Sequence, residues 1–237
     1  MRRRYWLIAT LCLWVLTIPS IASIDRTQPP LSTKAPQLEL ATAEELILEN
    51  GLHVFIIKND KLPRAYVSIA IDNPPYRQKK KRGIKTLTSA MLGNGTQQMT
   101  KEALYEEIDF MGAQLSITAG GGYGASLSRF FPRLLELFAE SLLQPVFTED
   151  EFSKQKTLLL ESIRSEEKSV QAVAGKVSKK VLYGSKHAFG EIITAENIQR
   201  LSLKDIKSYY HRYTAPNNAY MVIVGDVNVG EIKANIV

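Results

Sequence analysis

The spacing of apolar positions along the chain changes several times, and each change marks an element. Leu46-Ile47-Leu48, then Asn50-Gly51, then Leu52-His53-Val54-Phe55-Ile56-Ile57 reads as a β-hairpin, because Asn-Gly accepts the left-handed backbone of a tight turn. Ala65 to Ile71 is a third strand. Gly83 to Leu92 has the pattern of a short helix, stopped by Gly93-Asn94-Gly95. Thr100 is placed to cap a helix from Lys101 to Met111. Gln114 to Ala119 alternates polar and apolar residues, as a half-buried strand does. Gly120-Gly121-Gly122 reads as its turn, with Tyr123 to Phe130 returning antiparallel. Pro132 opens a helix whose apolar face carries Leu134, Leu135, Phe138 and Leu142. Thr148-Glu149-Asp150-Glu151 reads as a capping box, starting a long helix through Phe152, Leu159 and Ile163. A further helix follows Leu203, with Ile206 and Tyr210 on one face. Ala219 to Val224 is the last strand, ended by Gly225-Asp226.

Three strands, two helices, two strands, then helices and a final strand predict an α+β fold. Its sheet is mostly antiparallel, with helices packed on one face. The expected organisation is a signal segment at 1–23, a polar leader rich in Pro and Thr at 24–40, and a single domain at 41–237.

Composition adds limits. Hydrophobic residues make up 45% of the 237 and charged residues 23%, a balance that suits a folded domain with a sizeable core. The net charge is +6, and Arg2, Arg3 and Arg4 supply half of it. Most of the rest lies in Arg77, Lys79, Lys80, Lys81 and Arg82, between Pro74-Pro75 and Gly83. A solvated loop accounts for that run. No groove-reading or aromatic motif accompanies it, so nucleic acid is not an expected partner. Arg2 to Arg4, the apolar run from Trp6 to Ile18 and the small residues of Ser20-Ile21-Ala22 read as a bacterial export signal. The expected location is periplasmic or extracellular, with anchoring by an uncleaved N-terminal segment as the alternative. Cys12 is the only cysteine and lies within that signal. The rest of the chain therefore excludes disulfides, thiolate catalysis and cysteine-bound metal.

The segment from Gly83 to Thr96 holds the most chemical information, through what it lacks. Positions 86 and 90 lie four apart and share a helix face, an arrangement that can aim two donors at one ion. They hold Thr86 and Ala90, with Ser89 beside them, and none of these supplies an imidazole, thiolate or carboxylate. His53, His187 and His211 are not at ligand spacing and read as packing or surface residues. Thr86 and Ser89 have no activating histidine within a helical turn, so neither reads as a nucleophile.

Six segments, in order, resemble the insulinase/pitrilysin-type (inverzincin) metallopeptidases, whose signature is His-x-x-Glu-His. They are Asn50-Gly51-Leu52, Gly83 to Thr96, Leu160 to Arg164 with Glu166 and Glu167, Tyr183-Gly184, Ile198 to Ala219, and Val224-Gly225-Asp226. The resemblance implies that the first metal-binding His falls at Thr86, the Glu base at Ser89, and the second His at Ala90. The third ligand falls at Glu167, the one ligand-type residue retained. Zinc is the family's cofactor, but one carboxylate does not make a site that needs about three protein donors. No catalytic residue, metal ligand set or cofactor is therefore expected.

Family members are built from homologous halves, one carrying the motif and one helping to bind substrate. The resemblance thus implies a non-catalytic, chamber-forming partner of an exported insulinase-type peptidase. The partner would be a motif-bearing subunit or homologous second half. The strand bearing Gln114, Ser116 and Thr118 is a possible docking edge for a peptide. The alternatives are a scaffold module of an envelope complex, or metalloendopeptidase activity only in complex with a motif-bearing chain. Family chains usually continue into a second domain, so the sequence corresponds to the N-terminal domain alone, whether cut short or a half that associates.

Overall fold

The computed structural model describes residues 42–236. The expected signal and leader lie outside them. Among the described residues six strands form one sheet in the order β1-β2-β6-β3-β5-β4. These are β1 (Glu44–Ile47), β2 (His53–Lys58), β3 (Arg64–Ile71), β4 (Gln114–Thr118), β5 (Gly121–Leu127) and β6 (Ala219–Gly225). Every pairing is antiparallel except β2 with β6, where the last strand inserts beside the first hairpin. The helices are α1 (Ile84–Met91), α2 (Lys101–Phe110), α3 (Phe131–Leu143), α4 (Glu149–Glu167), α5 (Val170–Tyr183), α6 (Ala195–Gln199), α7 (Leu203–Tyr213) and α8 (Val229–Ile236). None of the described helices is long and apolar enough to cross a membrane.

Strand alternation assigns the two sheet faces. Val54, Ile56, Ala65, Val67, Met221 and Ile223 point inward and are buried. Tyr123 and Tyr220 remain exposed on the other side. Helix α3 lies across β3, β5 and β4, and its Phe138 sits tight against β5. A Cβ on Gly122 would come within 3.0 Å of the Phe138 ring, so a larger residue there would push α3 away. A smaller apolar cluster of Leu104, Ile108, Met111 and Leu137 joins α2 to α3. Arg133 of α3 grips Glu107 of α2 at 2.6 and 3.0 Å through Nε and Nη2. That hydrogen-bonded guanidinium holds the Glu107 carboxyl below its ordinary value.

Several local expectations are adjusted. The first hairpin closes through five residues, Leu48 to Leu52, with Gly51 at φ 85°. The β4–β5 turn is Ala119-Gly120, and Gly121 and Gly122 already belong to β5. Gly121, at φ 135°, passes so close to the Ile69 carbonyl that no side chain fits. The stretch after Leu127 is a 3-10 turn, Ser128–Phe130, and not more strand. Thr100 caps α2 as expected, accepting from Ala103 N–H. Thr148 likewise accepts from Glu151 N–H, but the box is half formed. The Glu151 carboxylate instead meets Lys101 at 3.1 Å and Gln155 at 2.7 Å. Helices α5, α6 and α8 were not indicated by the apolar pattern.

Candidate functional site

Helix α1 sits beside the end of β4 and is backed by α4 and α7. Gly83 starts it in a left-handed conformation, at φ 88°. Its inner face is Ile84, Leu87, Thr88 and Met91, all buried. Its outer face carries Lys85 and Thr86, both exposed, and the half-buried Ser89 and Ala90. Thr86, Ser89 and Ala90 lie away from the core, because the 3.6-residue repeat puts them opposite the apolar stripe. That outer face carries no imidazole, thiolate or carboxylate donor.

Ser89 has a defined structural task. Its hydroxyl donates to the Lys85 carbonyl at 2.9 Å and accepts from the Ala119 N–H at 3.0 Å. Ser89 therefore fastens α1 to the β4–β5 turn, and its oxygen is occupied on both sides. The Lys85 bond is the ordinary back-bond of a helical serine. Nothing in the sequence pattern points to Ala119, which is 30 residues away.

Strand β4 pairs only with β5, so one of its edges is open among the described residues. Gln114, Ser116 and Thr118 lie on its exposed face, while Ile117 is buried. The Thr118 hydroxyl is committed to the turn, donating to Gly121 O and accepting from Gly120 N–H. Gln114 and Ser116 remain available beside unpaired backbone, which is what strand addition requires.

Glu167 is the last residue of α4 and is exposed. Its neighbour Glu166 pairs with Lys176 at 2.9 Å, and Glu161 is exposed as well. The donor set does not fit zinc. Among the described residues no three His, Cys, Asp or Glu side chains come together to hold an ion. His53 lies in β2, 5.5 Å from Tyr220 between ring centres. His187 accepts from Phe189 N–H in a loop, and His211 is exposed on α7.

The lysines of the basic run are exposed, as a solvated stretch requires, but its backbone is anchored. Lys79–Lys81 form a 3-10 turn around the buried carboxylate of Glu191. Glu191 accepts from the N–H groups of Gln78 and Lys79, at 2.7 and 3.0 Å, and lies 3.6 Å from the Arg82 Nε. Lys81 continues the network to Asp205, at 2.7 Å. Burial alone would raise the Asp205 carboxyl, but hydrogen bonds from Lys81 and Ser202 outweigh it and hold it below its ordinary value. The network steadies the entry to α1, where Gln78 also receives the Gly83 N–H at 2.9 Å.

Known proteins share this frame. The chain is 28% identical over 184 residues to the mitochondrial-processing peptidase subunit beta of Mus musculus, covering 74% of this chain and 37% of that protein. It is 27% identical over 178 residues to the cytochrome b-c1 complex subunit 1 of Rattus norvegicus, covering 72% and 37%. The fold matches a peptidase M16 inactive domain from Pseudomonas fluorescens with a TM-score of 0.73 at 22% identity, over 82% of this chain and 49% of that one. The first half of the periplasmic protease PqqL from Escherichia coli matches at 0.66 and 15%, over 82% and 44%. The chain thus spans half or less of the length of these relatives. The family model for the insulinase peptidases matches residues 54–195, from inside β2 to the first residue of α6. This chain belongs to the insulinase family, peptidase family M16.

Proposed function

We propose that this chain is a non-catalytic half of an insulinase-type peptidase, which completes a peptide-binding chamber with a motif-bearing chain. The observation that carries the reading is α1 itself. The helix and its packing are kept, while the outward face holds Thr86, Ser89 and Ala90, and the Ser89 oxygen is tied to the β4 turn. A peptide bound in extended form would add to the open edge of β4, beside Gln114 and Ser116. Glu167 has no ligand role in this reading, and no metal is held. The resemblance to a periplasmic protease and the N-terminal signal pattern support work outside the cytoplasm.

Co-expression with a motif-bearing chain of the same family tests this directly. Peptide cleavage by that chain is expected to rise when this one is present. Equal cleavage with and without it overturns the reading.

The match to a cytochrome b-c1 complex subunit favours a second reading, in which the fold serves as a scaffold within an envelope assembly. Co-purification with such an assembly, and with no peptidase, separates it from the first. Proteolysis that needs both chains remains within the first reading, with the chemistry placed on the partner.

A further inference from the structure

A cavity of about 240 Å³ lies between the stretch before α1 and helix α7. Tyr76, Arg77 and Lys81 line it from the first, and Ser208, Arg212 and Tyr213 from the second. Its one carboxylate is Asp205, already held by Lys81 at 2.7 Å and by the Ser202 N–H and hydroxyl at 3.0 and 2.8 Å. An ammonium carries three N–H donors, so Lys81 keeps two beyond that bond. The Arg77 Nε stands 3.7 Å from Glu191, beyond hydrogen-bond distance. Arg212 forms no ion pair among the described residues, and its guanidinium lies 5.6 Å from the Tyr213 ring centre. Glu191 is shared with Arg82. Four cations, Arg77, Lys81, Arg82 and Arg212, thus stand against two carboxylates, Asp205 and Glu191. The surplus is positive.

Tyr76 adds a donor that lacks an acceptor. Its ring stacks on Tyr213, 4.7 Å between centres and 7° from parallel. Its hydroxyl is buried and makes no hydrogen bond among the described residues. Burial pushes that hydroxyl above its ordinary value, so it stays protonated and able to donate. A buried hydroxyl without a partner is costly, and a ligand oxygen would satisfy it. Helix α1 begins at this cavity, with Ile84, and has no acidic residue in its first turn. Its dipole therefore adds to the positive field.

We propose that this cavity binds the phosphoryl group of a small phosphomonoester. A carboxylate offers two oxygens and one charge. A phosphoryl group offers three oxygens and nearly two charges, which two guanidinium groups, an ammonium and a hydroxyl can engage together. The volume suits a compact ligand. The cavity shares no residue with the outer face of α1 or the edge of β4, so the site stands or falls apart from the chamber role.

Calorimetric titration of the full chain with inorganic phosphate and with phenyl phosphate tests this. Both are expected to bind at one site, and acetate more weakly. Arg77→Gln and Arg212→Gln are each expected to weaken phosphate binding about tenfold, the scale of one charge-assisted hydrogen bond. Both side chains are exposed, so circular dichroism should not change. Tyr76→Phe keeps the ring and is expected to weaken binding about fivefold. Lys204→Gln, on α7 but outside the cavity, is expected to leave binding as it was. A wild type that binds neither phosphate compound overturns the inference, and so does an Arg212→Gln variant that binds as tightly as wild type. Acetate binding equal to phosphate, or a loss in Lys204→Gln as large as in Arg212→Gln, overturns it as well. Binding to phosphatidic acid vesicles alone assigns the charge to a membrane surface and also overturns it.

Discussion

Helices α1 and α5 are amphipathic in opposite senses. Helix α1 turns Ile84, Leu87, Thr88 and Met91 to the core and leaves small polar residues outside. Helix α5 half-buries only Ala172 and Lys176 and leaves four valines outside. The first pattern is that of a helix whose buried face holds the fold. The second is that of a helix whose apolar residues find no neighbour among the described residues. The contrast shows that amphipathicity by itself does not say which side is in. The neighbours decide, here α4 and α7 behind α1, and Glu166 against Lys176 of α5.

Substitutions can sharpen the contrast, and the largest effect belongs to α1. Leu87→Ala removes a fully buried side chain, and urea unfolding is expected to show a loss of about 2–5 kcal/mol. Gly121→Ala places a methyl group against the Ile69 carbonyl at positive φ, with an expected loss of about 3 kcal/mol in the same assay. Ser89→Ala leaves the Ala119 N–H without its acceptor and is expected to cost about 1–2 kcal/mol. A stability unchanged by Ser89→Ala would leave the residue without the fastening role assigned to it.

Glu107→Gln tests the α2–α3 clamp and is expected to cost about 1 kcal/mol near neutral pH, since both partners are partly exposed. The sign with pH follows from the lowered carboxyl. Its contribution is complete above the ordinary glutamate value of about 4.3 and is lost as pH falls through the lower folded value. The wild-type and Glu107→Gln stabilities should therefore converge in acid. The smallest effect belongs to α5. Val177→Ala is expected to stay within about 0.5 kcal/mol of wild type.

The sheet and the capped helices were legible because their signals are local. Asn50-Gly51, the alternation from Gln114 to Ile117, Thr100 and Pro132 each state their geometry within a few residues. Helix α5 was hidden because valine is a poor helix former and its stripe answers to no neighbour in the fold. The site was half legible. The motif frame singles out Thr86, Ser89 and Ala90 in the sequence, but it does not say which way they face. That orientation depends on α4 and α7, which pack from distant parts of the chain. Glu191 gave no sign at all, since a glutamate after Phe189-Gly190 reads as an ordinary loop residue until Gln78 and Lys79 are folded onto it.

That buried carboxylate bears on how the chain withstands proteolysis. Arg77, Lys79, Lys80, Lys81 and Arg82 offer a trypsin-like enzyme five cleavage points within six residues, at the mouth of the helix that defines the family. Cleavage needs the backbone drawn out and its N–H groups free. Glu191 holds two of those groups, and Gln78 holds a third at Gly83. The most basic stretch of the domain is thus guarded by one acid from more than a hundred residues away, and nicking must wait for that local structure to open.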